Sequence, residues 1–233
     1  MMPNNYILIF SFCFFLSCED TKKSEQVSTE TVTKIIVKDT LQKKTETKPT
    51  ITKITNENAI AFLKDYGNKN PETKVKISTR LGAIYVQLYT DTPLHRANFI
   101  YLVKQDYFSE TFFHRVVPNF IIQGGNSDLP ATNRKRYILG ADYLLPAEIK
   151  HPHVYGTLSG AKEYRENPDK KSHPYEFFIF LGKPVSKRHL DGSYTVFGKV
   201  TKGMDIVEKI ANLAADTGDW PLQNVYISAE IIK

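Results

Sequence analysis

From Lys74 onward apolar side chains recur at every second position, and this period constrains the fold more than any other feature of the sequence. Val75 and Ile77 alternate with Lys74 and Lys76, and after a turn at residues 80–82, Ile84, Val86 and Leu88 alternate with Tyr85, Gln87 and Tyr89. A period of two describes strands that bury one face. The same alternation closes the chain at 225–232. Two more strands, joined at Pro118-Asn119, are expected within 112–125, and shorter ones at 144–149, 155–161, 175–181 and 195–200. Within this region helical spacing occurs twice. One helix opens at Thr92-Pro93, where proline suits a first turn, and buries Phe99, Leu102 and Val103; the other spans 203–211 with Met204, Val207 and Ile210 inward. About eight antiparallel strands, two flanking helices and no βαβ rhythm predict an all-β fold, a closed barrel capped by the helices, since closure removes exposed edges.

The chain before this region reads differently. Residues 1–18 carry no charged side chain and are almost wholly apolar from Tyr6 to Leu16, which fits an export signal and is short for a membrane span. Both cysteines, Cys13 and Cys18, lie there, so the rest of the chain forms no internal disulfide and must stand on packing. Leu16-Ser17-Cys18 resembles a bacterial lipobox, which implies lipidation of Cys18; the alternative is an ordinary signal with an incidental cysteine. Residues 19–55 are rich in Thr, Lys, Glu and Ser and hold neither glycine nor aromatic residue, the composition of a flexible tether. At 56–73, an Asn56-Glu57-Asn58 cap followed by Ile60, Leu63 and Tyr66 predicts an accessory helix and lead-in, leaving 74–233 as the main domain. The net charge of +6 is dispersed among acids, with no basic stripe interleaved with aromatics, so no nucleic-acid surface is expected.

The chemistry concentrates in F-F-H-R-V-V-P-N-F-I-I-Q-G-G at 112–125, where one fixed cation, Arg115, and one amide, Gln123, stand among aromatic and branched residues. Elsewhere the sequence offers no G-x-S-x-G, no reactive cysteine in the folded part and no phosphate loop. His151 and His153 have strand spacing but no evident third ligand, so no metal site is expected. His173 and His189 are expected in solvated loops, and Asp191-Gly192 in a turn.

Four ordered pieces carry a resemblance: F-H-R-V-V-P-N-F-I-I-Q-G-G at 113–125, Y-G-T-L-S-G-A at 155–161, E-F-F-I at 176–179, and L-D-G-S-Y-T-V-F-G-K-V-T-K-G-M-D-I-V at 190–207. Over 74–233 the chain resembles the cyclophilin family of peptidyl-prolyl cis-trans isomerases. The resemblance implies a closed eight-stranded barrel capped by two helices, with Arg115 as the catalytic residue. It further implies a proline pocket of Phe120, Ile121, Phe178 and Leu190, with Gln123, Ala161, Lys162, Glu176 and Tyr194 also contacting substrate. Such a reaction needs no cofactor or metal.

Two departures from the family pattern matter. Glu176 stands where the family usually has glutamine and is expected to pair with Arg115, competing with substrate, or to be neutralised by Lys162. His189 replaces a frequent Trp or Phe, which implies weak inhibition by cyclosporin. The expected function is isomerisation of X-Pro bonds in exported proteins, by a monomer held to a membrane in the bacterial cell envelope through its lipid anchor. The alternative is a proline-binding or chaperone module with weak or no catalysis.

Overall fold

The computed structural model of the chain describes residues 52–162 and 167–233. Cys18, the signal stretch and most of the tether lie outside the described residues.

Eight strands form one antiparallel sheet: β1 (Lys74–Thr79), β2 (Gly82–Leu88), β3 (Phe112–Val117), β4 (Ile121–Asn126), β5 (Thr157–Gly160), β6 (Phe177–Phe180), β7 (Val196–Lys202) and β8 (Ser228–Ile231). Their order is β3-β4-β6-β5-β7-β2-β1-β8. The period-two reading holds in β1 and β2, where Val75, Ile77, Ile84, Val86 and Leu88 are all buried. Full closure is not reached by ladder pairing, because β3 and β8 end the strand order. Across that seam run one isolated bridge, Phe112 to Tyr226, and backbone bonds from Phe113 N to Val225 O (3.0 Å) and Ile227 N to Thr111 O (2.9 Å). The short β8 begins only after these contacts, so the sheet is a curled half-barrel rather than a ring of eight ladders.

The hollow of the sheet is filled from one side by α2 (Pro93–Lys104), which carries Pro93 in its first turn as expected. Phe99 of this helix meets Phe108 at 5.0 Å and Phe177 edge-on at 5.5 Å, so aromatic area supplies much of the packing that disulfides do not. Near the other end α4 (Met204–Ala211) buries Val207 and Ile210. The accessory helix α1 (Ala59–Lys69) runs through Gly67, where an added Cβ would stand 3.0 Å from the Ala97 Cβ of α2. Phe62 and Tyr66 pack edge-on against Tyr101, at 5.2 and 5.1 Å, and Ile54, expected in the tether, is buried with its N–H on Leu139 O. Asn58 precedes the helix, but its side chain turns back to Thr55 and Lys53.

Two sequence expectations fail between β4 and β5. A helix, α3 (Pro130–Leu139), is a third in a region where helical spacing announces two, and 144–149 is no strand; Leu145 makes only an isolated bridge with Ser172. Only Thr132 and Leu139 of α3 are buried, so its apolar stripe is too thin to read. Its hold on the fold is polar instead: Thr132 Oγ1 donates to Glu110 O at 2.8 Å, and Arg136 Nε to Tyr107 Oη at 2.8 Å.

Candidate active site

β3, β4 and β6 are buried on both faces, and this is what creates a site beside the core. On β4, Ile122 joins the main core while Ile121 joins a second, smaller cluster; on β6, Phe177 and Ile179 go to the core, Phe178 and Phe180 to the second cluster. On β3 the alternation is reset by a bulge. Phe113 pairs with Gly124 and Arg115 with Gln123, so two steps on β3 oppose one on β4 and His114 is the extra residue. Without it Phe113 and Arg115 would share a face; with it Phe113 stays in the core and Arg115 turns out. Pro118-Asn119 then forms the tight return, with Asn119 at φ 59° and Phe120 N bonded to Val117 O at 3.1 Å. Proline followed by an Asn in the left-handed region is the chemistry a type II turn requires.

The resulting register places Arg115 opposite Gln123, Gln123 opposite Phe178, and Phe178 opposite Ser159. In-register neighbours project on one side, so a cation, an amide and an aromatic ring stand in a row. Beside them opens a cavity of about 470 Å³ lined by Arg115, Phe120, Ile121, Gln123, Ala161, Lys162, Phe178, His189, Leu190 and Tyr194. Every substrate-contacting residue expected from the sequence is there except Glu176. Phe178 forms a wall, edge-on to Tyr194 at 5.7 Å and stacked on the imidazole of His153 at 5.7 Å. Phe120 meets the ring of His189 at 5.6 Å. Lys162 places Nζ over the ring of Tyr194, at 4.5 Å, and does not neutralise Glu176.

The expected pairing of Glu176 with Arg115 does not form. Arg115 is taken by Asp219, whose Oδ2 lies 3.1 Å from both Nε and an Nη of the guanidinium. Asp219 is itself fixed by its backbone, at φ 67° with its carbonyl accepting from Val116 N at 2.8 Å. Glu176 instead sits behind the pocket: Oε2 accepts from Gln123 Nε2 at 2.9 Å and faces His114 Nε2 at 3.5 Å, and Oε1 faces Arg136 at 3.6 Å. Burial pushes its carboxyl up, yet the hydrogen bond and charge of His114, with the charges of His173 and Arg136, outweigh burial and hold it down at about 2. His114 leaves Nδ1 buried without a hydrogen-bond partner, so Glu176 is where this ring engages the site. Nothing in the local spacing of T-G-D-W-P, or of the arginine on α3, announces these partners.

Two carboxylate–histidine–serine relays also emerge, Glu148–His95–Ser172 and Asp191–His153–Ser159. Both serines have 0% exposure, so neither hydroxyl can meet a substrate. The second relay is structural to the pocket: His153 ties Asp191, next to Leu190, to β5 from beneath Phe178. Burial pushes the His153 imidazole below its ordinary value, against the pull of Asp191. The pair His151 and His153, read for a shared face, goes separate ways, His151 to Asp91 and His153 to Asp191.

A donor-bearing cation beside an apolar slot, with no accessible nucleophile in these relays, suits a reaction that binds and twists rather than cleaves. Comparison with known proteins agrees. Residues 74–231 match the family model of the cyclophilin type peptidyl-prolyl cis-trans isomerases. A peptidyl-prolyl cis-trans isomerase of Acinetobacter baylyi is 37% identical over 146 residues, covering 62% of this chain and 75% of that protein. Another, from Schizosaccharomyces pombe, is 32% identical over 157 residues, covering 66% and 94%. The crystal structure of a cyclophilin type isomerase from Cryptosporidium parvum superposes with a TM-score of 0.58 at 26% identity, covering 70% of this chain and 98% of that one. Fold, family model and relatives converge, and the chain belongs to the cyclophilin-type peptidyl-prolyl cis-trans isomerases.

Proposed function

We propose that this isomerase exchanges cis and trans X-Pro bonds in exported polypeptides, with Arg115 as its catalytic residue. The observation that carries the reading is the row of Arg115, Gln123 and Phe178 at the edge of an apolar cavity. Rotation about the C–N bond faces a barrier of roughly 18 to 20 kcal/mol, because amide resonance must be lost. A proline ring seated between Phe120, Ile121, Phe178 and Leu190 is desolvated and held. As the bond twists, its nitrogen becomes pyramidal and more basic, and a donor aimed at it stabilises the twisted state more than either planar one. Asp219 occupies one edge of the guanidinium, so the remaining N–H groups of Arg115 are free to be aimed at the amide. Gln123, Ala161, Lys162 and Tyr194 contact the flanking backbone.

The site of action follows from the N-terminal sequence. The apolar stretch to Leu16 directs export, and a lipid on Cys18 holds the monomeric protein at a membrane of the bacterial envelope.

Isomerisation of an Ala-Pro peptide is measured with wild type and Arg115→Ala. Wild type is expected to accelerate the exchange and the variant to lose about 100-fold in kcat/KM. A wild type that binds the peptide yet leaves its rate unchanged would favour a proline-binding module. Fatty-acid labelling of wild type and Cys18→Ala reads the anchor: label on wild type alone is expected, and an unlabelled wild type removes it.

A further inference from the structure

Gln123 gives its amide to a neighbour that can only accept. Nε2 donates to Glu176 Oε2 at 2.9 Å. A glutamine side chain has a donor end and an acceptor end that exchange places by a half-turn about its last bond, and an ionised carboxylate tolerates only the donor end. Glu176 is kept ionised, its carboxyl held at about 2. The carboxylate is also anchored from behind: Arg136, which faces Oε1 at 3.6 Å, is itself fixed by Tyr107 Oη at 2.8 Å and Gly125 O at 3.2 Å. A glutamine in place of Glu176 would donate as well as accept, and would satisfy Gln123 in either orientation.

We infer that Glu176 is a positioning residue that locks the Gln123 amide with its carbonyl oxygen toward the pocket, so that the site selects polypeptides offering a backbone N–H beside the proline. This rests on the isomerase reading of the same site. A flanking residue that lacks the N–H, a second proline or an N-methylated residue, leaves the locked oxygen desolvated and unpaired, which is the costly outcome for a hydrogen-bonding group. In an enzyme whose Gln123 can turn over, the same residue is tolerated.

The test uses a short peptide with one X-Pro bond and three derivatives, N-methylated in turn at the second residue before proline, at the residue directly before it, and at the residue after it. Exchange rates are followed by NMR so that no protease is needed, and kcat and KM are separated. For one of the three methylations wild type is expected to lose about fivefold in kcat/KM, mainly through KM, while Glu176→Gln and Gln123→Met lose about twofold or less. Equal sensitivity of wild type and Glu176→Gln, or insensitivity of wild type to all three, overturns the inference. Failure of wild type to accelerate even the unmethylated peptide overturns the isomerase reading instead. Should Glu176→Gln not fold, the wild-type spectrum decides: one Gln123 amide proton protected from solvent exchange is expected, and two exchanging freely refute the lock.

Discussion

Asp219 grips Arg115 through a single carboxylate oxygen, 3.1 Å from Nε and 3.1 Å from an Nη. The contact joins residues 104 positions apart, and it fixes the long arginine stem without covering the whole guanidinium. Both side chains are about two-fifths exposed, 39% and 42%, so the pair is screened by water and contributes modestly to stability. Its value lies in aim. Asp219→Asn keeps the shape and tolerates the left-handed backbone, but removes the charge; kcat is expected to fall about threefold to fivefold with the melting temperature almost unchanged. Raising the salt concentration should shrink the difference between the two proteins. Equal kcat at low salt would show that Arg115 needs no such partner.

Phe178 carries a double load, as pocket wall and as the upper ring of a stack on His153. It is 3% exposed, so Phe178→Ala is expected to cost about 3 kcal/mol in urea unfolding as well as weakening peptide binding. Phe178→Leu keeps most of the apolar volume and should recover the stability before the binding. If both variants bind peptide as wild type does, the cavity is not the proline site.

His189 lines the cavity with its ring against Phe120. The resemblance to the family implies weak inhibition by cyclosporin for want of the usual Trp or Phe here. His189→Trp is expected to bind the drug at least about tenfold more tightly, the gain of one well-buried aromatic contact. An unchanged inhibition constant would place the determinant elsewhere.

What could be read in the sequence follows from range. Strands such as β1 and β2 declare themselves through neighbours two apart, and the pocket residues through motifs a few residues long. The bulge at His114 cannot be read that way, because it exists only relative to the register of β4. Asp219 reaches Arg115 across more than a hundred positions, and Arg136 reaches Glu176 from a helix with too thin a stripe to notice. Glu176 shows the consequence. Strand period puts it on the side of Phe178, and a sequence without α3 leaves Arg115 or Lys162 as its evident cations; the fold supplies His114 and Arg136 instead.

That same burial makes Glu176 a lever on acid stability. Its carboxyl is held at about 2 in the folded protein, against about 4.3 for an unperturbed glutamate, so its folded value is the depressed one. Stability from this group is therefore fully present above about pH 5 and is lost as the pH falls toward 2, where the folded state must also take up the proton. The whole effect is of order 3 kcal/mol. His153, whose imidazole burial pushes down, acts in the same sense. Urea unfolding of wild type and Glu176→Gln between pH 2 and 7 should show a variant less stable at neutral pH, with a visibly shallower slope below pH 5. The contribution of His153 should survive in the variant and disappear in His153→Gln. Parallel acid slopes for wild type and Glu176→Gln would mean that the carboxylate is not held by His114 and Arg136, and the lock on Gln123 would lose its anchor with it.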